Sequence, residues 1–314
     1  MRIGLTGGAA TPDKIIEQAK RAEADGFASL WYASIVTGDP LAPMAAAGRE
    51  TMAIELGTAV LQTYPCHPLL QANRAASAAA TMGRPGLTIG IGPSHEPMVR
   101  DVYGMSYDRP GRSTEEYIRI LTALLRGEDV DFQGEDWSAR SAGGRMAPVA
   151  EPVPVLLSAL SPRLLRVAGQ YADGTILWMA PVRAVAEHIA PRIHAAASAA
   201  GRPAPRIVAG LPVAVHDDAA EAREAVAATA GAYAGMPNYR RVMDLGGASS
   251  PAEAAIVGDE ASVRGQLRSL IDAGATDIWV NIVAAGPDRA ASRRRTRDLL
   301  RELATPPVPE GAGT

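Results

Sequence analysis

A closed (β/α)8 barrel, an α/β TIM-barrel architecture, is the fold that this sequence predicts, and three observations carry it. Eight short β-like runs alternate with helical patterns along nearly the whole chain, which reads as a parallel sheet with crossover helices. The length, 314 residues, is one at which such barrels are built as a single unit. One helix-to-strand turn also recurs: Ala24-Asp25-Gly26 precedes Leu30-Trp31-Tyr32, Ala172-Asp173-Gly174 precedes Ile176-Leu177-Trp178, and Ala273-Gly274 precedes Ile278-Trp279-Val280. Glycine after a helix accepts the left-handed conformation that ends it. The spacing of these echoes is irregular, so they mark architecture and not a solenoid.

The elements follow in order. Arg2 to Leu5 forms the first strand, and Ile15, Ile16, Ala19 and Ala22 mark the apolar face of the helix after it. Leu30 to Ala33 is the second strand and Glu55 to Leu61 the third. The fourth, Leu87 to Ile91, runs into Gly92, Pro93, Ser94 and His95. Tyr117, Ile118, Leu121, Leu124 and Leu125 mark the fourth helix. Val155 to Ser158, Thr175 to Trp178, Ile207 to Val215 and Ile278 to Val283 complete the eight. One insertion after helix 4, Glu128 to Pro152, carries alternating residues around Gly134 and reads as a β-hairpin. A second, Ala232 to Gly258 between strands 7 and 8, is rich in Gly, Pro and Met and is placed to act as a lid. Residues 1-305 are expected to form one barrel domain and 306-314 a flexible tail.

Composition narrows the function classes. Hydrophobic residues make up 47% of the chain, and a formal charge of −3 gives no overall basic surface for nucleic acid. The run Arg289 to Arg301 sits beside Leu299, Leu300 and Leu303 at helical spacing and reads as a solvated helix face. A single cysteine, Cys66, no leader pattern and no bilayer-length apolar run predict a cytoplasmic protein without membrane contact. Lysine occurs only at positions 14 and 20 among many Arg, Ala, Gly and Pro, a bias of GC-rich bacterial coding.

Several chemistries are disfavoured by spacing. Gly90-Ile91-Gly92-Pro93-Ser94-His95 has histidine where a dinucleotide fingerprint needs its third glycine, and it follows the fourth strand. The five histidines do not pair at metal-ligand spacings, so no metal is expected. No Gly-x-Ser-x-Gly nucleophile elbow occurs. What remains are polar residues at strand ends: Thr6, Ser34, Gln62, Ser94 with His95, Ser158 with Ser161, Trp178 and Asn281. In a barrel these face the C-terminal end, where such folds build their sites. Without a strong acid-base pair, they suit a bound cofactor that carries the chemistry itself.

Gly57-Thr58-Ala59-Val60, His67-Pro68, Gly90-Ile91-Gly92-Pro93-Ser94-His95, Tyr103-Gly104-Met105-Ser106-Tyr107-Asp108-Arg109-Pro110 and Ala172-Asp173-Gly174 together resemble the luciferase-like monooxygenase superfamily. The likeness is greatest to its coenzyme F420 branch, which includes methylenetetrahydromethanopterin reductase. The resemblance implies a deazaflavin at the C-terminal ends of the strands and a non-prolyl cis peptide at Ala59-Val60. It also implies that Gly92, Pro93, Ser94 and His95 line the ring and ribityl chain, and that Ser158, Ala159, Leu160 and Ser161 bind the phosphate. Two hydroxyls and the helix start at Pro162 suit an anion there, and simple N-capping by Ser161 is compatible with it. Thr6, Ser34 and Gln62 complete the cofactor set.

The pattern also departs from the resemblance. Several relatives carry an acidic residue and a histidine after the second strand, where this chain has Ser34-Ile35. A sugar-phosphate dehydrogenase is therefore a poor match. His95 and Gln62 are the catalytic candidates; His95 has an ordinary pKa near 6.5 that suits proton exchange, with holding the cofactor as its other role. Gln62, His67, Tyr107 and Arg109 are candidate contacts to substrate or lid, Arg109-Pro110 being equally a structural turn. The expected activity is F420-dependent hydride transfer at C5 to or from an unsaturated or carbonyl-like small molecule. The alternatives are an FMN-dependent monooxygenase fed by a partner reductase, and a non-catalytic flavin-binding protein. A homodimer, and a flavin or F420 reductase as partner, are the associations the resemblance suggests.

Overall fold

The computed structural model describes residues 1–8, 11–34, 38–142 and 151–304. Eight parallel strands close into a barrel: β1 Ile3–Gly7, β2 Ser29–Tyr32, β3 Glu55–Thr58, β4 Leu87–Gly92, β5 Val155–Leu157, β6 Gly174–Trp178, β7 Arg206–Val215 and β8 Asp277–Ile282. The ring is closed because β8 pairs with both β7 and β1, while β7 also pairs with β6. All eight expected strands are present, displaced by a residue or two at their ends. The third is interrupted: Glu55–Thr58 pairs with β2, and after Ala59-Val60 the chain resumes pairing as Leu61–Gln62 along β4. The Ala59-Val60 bond is cis, as the resemblance implied.

The surrounding helices are α1 Pro12–Ala24, α2 Leu41–Arg49, α3 Pro68–Met82, α4 Pro110–Leu125, α5 Pro162–Tyr171, α6 Ala190–Ala199, α7 Ala219–Ala230, α8 Pro237–Leu245, α9 Pro251–Ala254, α10 Glu260–Asp272 and α11 Arg289–Leu303. Their starts follow local chemistry. Thr11 and Ser161 accept hydrogen bonds from the N–H groups of Lys14 and Leu164, each with proline at the next position. Asp218, Asp259 and Asp288 cap α7, α10 and α11 in the same way.

Two hydrophobic clusters result. The larger fills the space between strands and helices, with Ile3, Leu30, Leu56, Ile89, Leu157, Leu177, Ala209 and Ile278 pointing outward from the strands. The smaller is the barrel interior: Trp31, Leu156, Ile176, Val208 and Trp279. Tryptophan fits there only because neighbouring strands carry glycine. A Cβ at Gly57 would lie 2.2 Å from the Trp31 ring, and one at Gly210 would lie 2.0 Å from Trp279. Below this layer the N-terminal mouth is plugged by charge. Arg2 and Arg206 each pair with both Glu55 and Asp277, at 2.8 to 3.0 Å.

The described parts of both insertions carry regular structure. Asp131–Gln133 and Ser138–Arg140 form the expected antiparallel hairpin. Residues 143–150 of that insertion and the tail from 305 lie outside the described residues. The second insertion is mostly helical, with α8 and α9, and it ends in the strand Ile256–Gly258, which pairs with the end of β7. Its prolines open short helices, Pro237 after Met236 and Pro251 after the capping Ser250, and Gly246 closes the first of them. Among the described residues no helix is long and apolar enough to cross a membrane.

Candidate active site

Side chains alternate along a strand, so the residues two places beyond the interior cluster face the C-terminal mouth. Ser158 follows Leu156, Trp178 follows Ile176, and Asn281 follows Trp279. Thr6 stands level with Trp31 on the adjacent strand and faces the same way. The mouth is thus floored by indole rings, with Trp178 and Trp279 at 4.9 Å between centroids, and Ala59 and Val60 packed against the same cluster. Around this floor the strand ends form one arc. Ser34 N–H donates to the Val60 carbonyl at 3.4 Å, Thr63 N–H to Gly92 at 2.9 Å, and Ser158 N–H to Ile91 at 2.8 Å. Ser34, Ala59, Val60, Gly92 and Ser158 are therefore neighbours across β2 to β5.

The glycines of β4 are set by what stands beside them. A Cβ at Gly90 would lie 1.9 Å from the Thr58 carbonyl oxygen, and one at Gly92 would lie 3.0 Å from Ser158 Cβ. The space that each leaves is taken by protein, so Gly90 serves strand packing and not approach to a ligand. Beyond them Ser94 has φ 63°, an uncommon left-handed conformation for a residue with a side chain. It is keyed from outside by Tyr107, whose hydroxyl donates to the Ser94 carbonyl at 3.0 Å. Burial pushes the Tyr107 pKa up to about 12, so this donor stays protonated.

His95 is half-buried at the rim. Its ring lies 5.6 Å from Tyr239 of α8, and no hydrogen bond to its nitrogens occurs among the described residues. Burial lowers its pKa from the ordinary 6.5, which leaves the imidazole neutral at pH 7. Tyr239 in turn lies 5.0 Å from Tyr233, and Tyr233 lies 6.0 Å from Trp178. Rings thus run from the indole floor through the second insertion to His95. Burial raises both tyrosine pKa values, that of Tyr239 the more strongly. Tyr233 and Tyr239 escaped the sequence reading because no periodicity ties them to a strand end. The available signal was two aromatics in a Gly- and Pro-rich segment of a chain with only 4% aromatic residues.

The other candidates divide. Gln62 is held at the arc by Tyr103, whose hydroxyl donates to its carbonyl oxygen at 2.6 Å, so its amide N–H groups are left for a ligand. In the Ser158 to Ser161 loop, Ser161 caps α5, Ala159 is fully buried, and the Leu160 carbonyl accepts from His188 at 2.9 Å. Ser158 keeps a hydroxyl without a partner among the described residues. His67 and Arg109 are structural. The His67 ring accepts from Leu69 N–H at the start of α3 and donates to the Ser138 carbonyl of the hairpin at 2.9 Å. Arg109 is exposed and pairs with Glu135 at 3.6 Å. The mouth therefore offers an apolar floor, backbone and hydroxyl donors around it, and the His95 imidazole at its rim.

Comparison with known proteins places this geometry. The family model for luciferase-like monooxygenases matches residues 1–303. The 5,10-methylenetetrahydromethanopterin reductase of Methanolobus tindarius is 28% identical over 286 residues, covering 89% of this chain and 85% of that one. Among solved structures, the coenzyme F420-dependent tetrahydromethanopterin reductase of Methanopyrus kandleri superposes with a TM-score of 0.73 at 20% identity, covering 96% of this chain and 98% of its own. The oxygenating constituent of 3,6-diketocamphane monooxygenase from Pseudomonas putida, in complex with FMN, also gives 0.73, at 17% identity and 98% coverage of both chains. These structural likenesses establish the barrel fold, and the family match covers almost the whole sequence. The chain belongs to the luciferase-like monooxygenase family.

Proposed function

We propose that this protein is a coenzyme F420-dependent oxidoreductase that moves a hydride between the cofactor and a small organic substrate bearing a carbonyl or an activated double bond. The cofactor assignment is supported by sequence likeness: 28% identity to a methylenetetrahydromethanopterin reductase along 89% of the chain, and 32% identity over 141 residues to an F420-dependent glucose-6-phosphate dehydrogenase of Gordonia bronchialis. The mouth supports it, because the residues present fit a flat conjugated ring. Its floor is apolar, and the Thr6 hydroxyl is buried there without a partner, ready for a polar ring edge. Ala59, Val60, Gly92, Pro93, Ser94 and His95 would line the ring, with Ser34 and Gln62 at its edge and Ser158 to Ser161 toward the phosphate. When bound, F420 supplies or takes the hydride at C5.

The remaining work falls to the chain. In the oxidative direction the neutral imidazole of His95 accepts the proton that leaves an alcohol; in reverse its protonated form donates one to the product oxygen. Gln62, oriented by Tyr103, donates an amide N–H to the same oxygen. Tyr233 and Tyr239 exclude water from above. The test is anaerobic turnover of reduced F420, deuterated at C5, over a panel of ketones, aldehydes and enones. Deuterium on the former carbonyl or alkene carbon of the product is expected. Binding of F420 with no turnover on any member would contradict the assignment.

A second reading has one observation in its favour: the FMN-bound monooxygenase superposes as well as the F420 enzyme. Under that reading the chain consumes oxygen when a partner reductase supplies reduced FMN, and reduced F420 is inert.

A further inference from the structure

The arginine run of the last helix is not a uniform solvated face. Between the C-terminal ends of β1 and β8 and the helices α1 and α11 packed outside them lies a cavity of about 480 Å³. Its polar walls are Gln18 and Arg21 from α1, Asn281 from β8, and Arg293, Arg294 and Arg297 from α11, and none of the described residues lining it is acidic. Arg297 is neutralised by Asp25 at 2.7 Å and covers the Phe27 ring. Arg21, Arg293 and Arg294 make no ion pair or hydrogen bond among the described residues. Elsewhere on the same helix Arg295 pairs with Asp217 and Glu260, and Arg301 with Asp25 and Asp298. Of the three α11 arginines unpaired among the described residues, Arg293 and Arg294 line this cavity, and Arg289 at the start of the helix does not.

Like charges around one concavity repel each other, and its walls focus their field, so the arrangement is stabilised by an anion. Guanidinium forks match phosphate and carboxylate oxygens in pairs. A further feature points the same way. Gln18 accepts from Gly8 N–H through its carbonyl at 3.1 Å, which leaves its amide N–H groups as donors. β1 stands across the ring from β5, so this place is separate from the Ser158 to Ser161 loop.

We propose that this cavity is an oxyanion site, binding a phosphate or carboxylate group of a small molecule beside the barrel mouth and apart from the cofactor. The test is calorimetric titration of the protein at low ionic strength with inorganic pyrophosphate and with citrate. The wild type is expected to bind at least one of them. The exposed pair substitution Arg293→Glu with Arg294→Glu should weaken that binding at least tenfold, and Arg21→Gln severalfold, with melting temperatures confirming that the variants fold. A control of equal charge change on other faces, Arg166→Glu with Arg268→Glu, should alter it no more than about twofold. Saturating F420 should leave pyrophosphate or citrate binding in place. The proposal is overturned if neither anion binds the wild type, if the control pair loses as much affinity as the cavity pair, or if F420 displaces the anion. Because the readout is anion binding without turnover, its outcome is independent of whether the hydride-transfer reading holds.

Discussion

His95 draws its significance from position more than from type. Five histidines occur in the chain, and the structure gives three of them backbone duties: His67 at the start of α3, His188 on the Leu160 carbonyl and His216 beside Asp218. His95 alone stands at the rim of the mouth with its pKa lowered by burial. The sign of its effect follows. A proton needed by the product is available only as the pH falls below 6.5, so the rate of substrate reduction should rise toward acid in the wild type. His95→Gln should abolish that dependence and lower the rate by about a hundredfold, as expected for loss of a positioned proton donor; a pH–rate profile of both proteins checks it. At this scale the sequence was legible where a strand end fixes position, as at His95 and Ser158, which the structure brings to the same mouth. It was not legible where the neighbour decides. Gly90 looks like a ligand-approach glycine until the Thr58 carbonyl is found in its place, and nothing in the sequence links Gln62 to Tyr103, 41 positions away.

At the scale of elements, the two insertions differ in what holds them. The hairpin is fastened to the side of α4 by two charged side chains, Arg112, which pairs with Asp136 at 2.9 Å and with Glu135, and Glu116. Glu116 accepts from the backbone N–H groups of Glu135, Asp136 and Trp137, at 2.8 to 3.0 Å, while Trp137 donates to Ser113 and packs edge-on to Tyr117. Hydrogen bonds to a charged group contribute about 1.5–3 kcal/mol each, and here three share one acceptor. Glu116→Ala should therefore cost about 2–4 kcal/mol in denaturant unfolding, on the same basis and discounted for that sharing. Amide exchange should accelerate in residues 131–140 before anywhere in the barrel strands. The second insertion rests instead on aromatic contacts above the mouth, through Tyr233 and Tyr239. Alternation around Gly134 was enough to predict the hairpin. The helices α8 and α9 were missed because proline and glycine, read as loop formers, here sit at helix starts and ends.

At the scale of the molecule, the barrel is layered from a charged plug through an indole-rich core to the open mouth. Eight alternating runs and the repeated helix-to-strand turn sufficed to predict the ring, because each βα unit buries its own strand and helix face. The plug was not legible, since Arg2, Glu55, Arg206 and Asp277 are scattered over the chain and meet only when the barrel closes. Burial opposes the charge on Asp277, but Arg206, Thr276 and Arg2 outweigh it and hold its pKa below the usual carboxylate value. A depressed carboxylate stabilises the fold above its unfolded pKa and loses that contribution as the pH falls through the folded one. Asp277→Asn leaves two arginines short of a counterion and should cost about 3 kcal/mol at pH 7, the range for breaking a buried pair. The gap from wild type should narrow below about pH 4, where the unfolded chain's carboxylate takes up its proton first, and close once the native one does so at lower pH; urea denaturation at pH 7 and below pH 4 measures it.

The central claim is that the mouth built by Thr6, the Ala59-Val60 turn, Gly92 to His95 and Ser158 to Ser161 holds a deazaflavin. Equilibrium titration of the purified protein with oxidised F420 and, separately, with FMN, followed by change in cofactor fluorescence, tests it most directly. Saturable binding of F420 that is at least tenfold tighter than that of FMN is the predicted result. Tight FMN binding with no response to F420 would contradict it and leave the monooxygenase reading in its place.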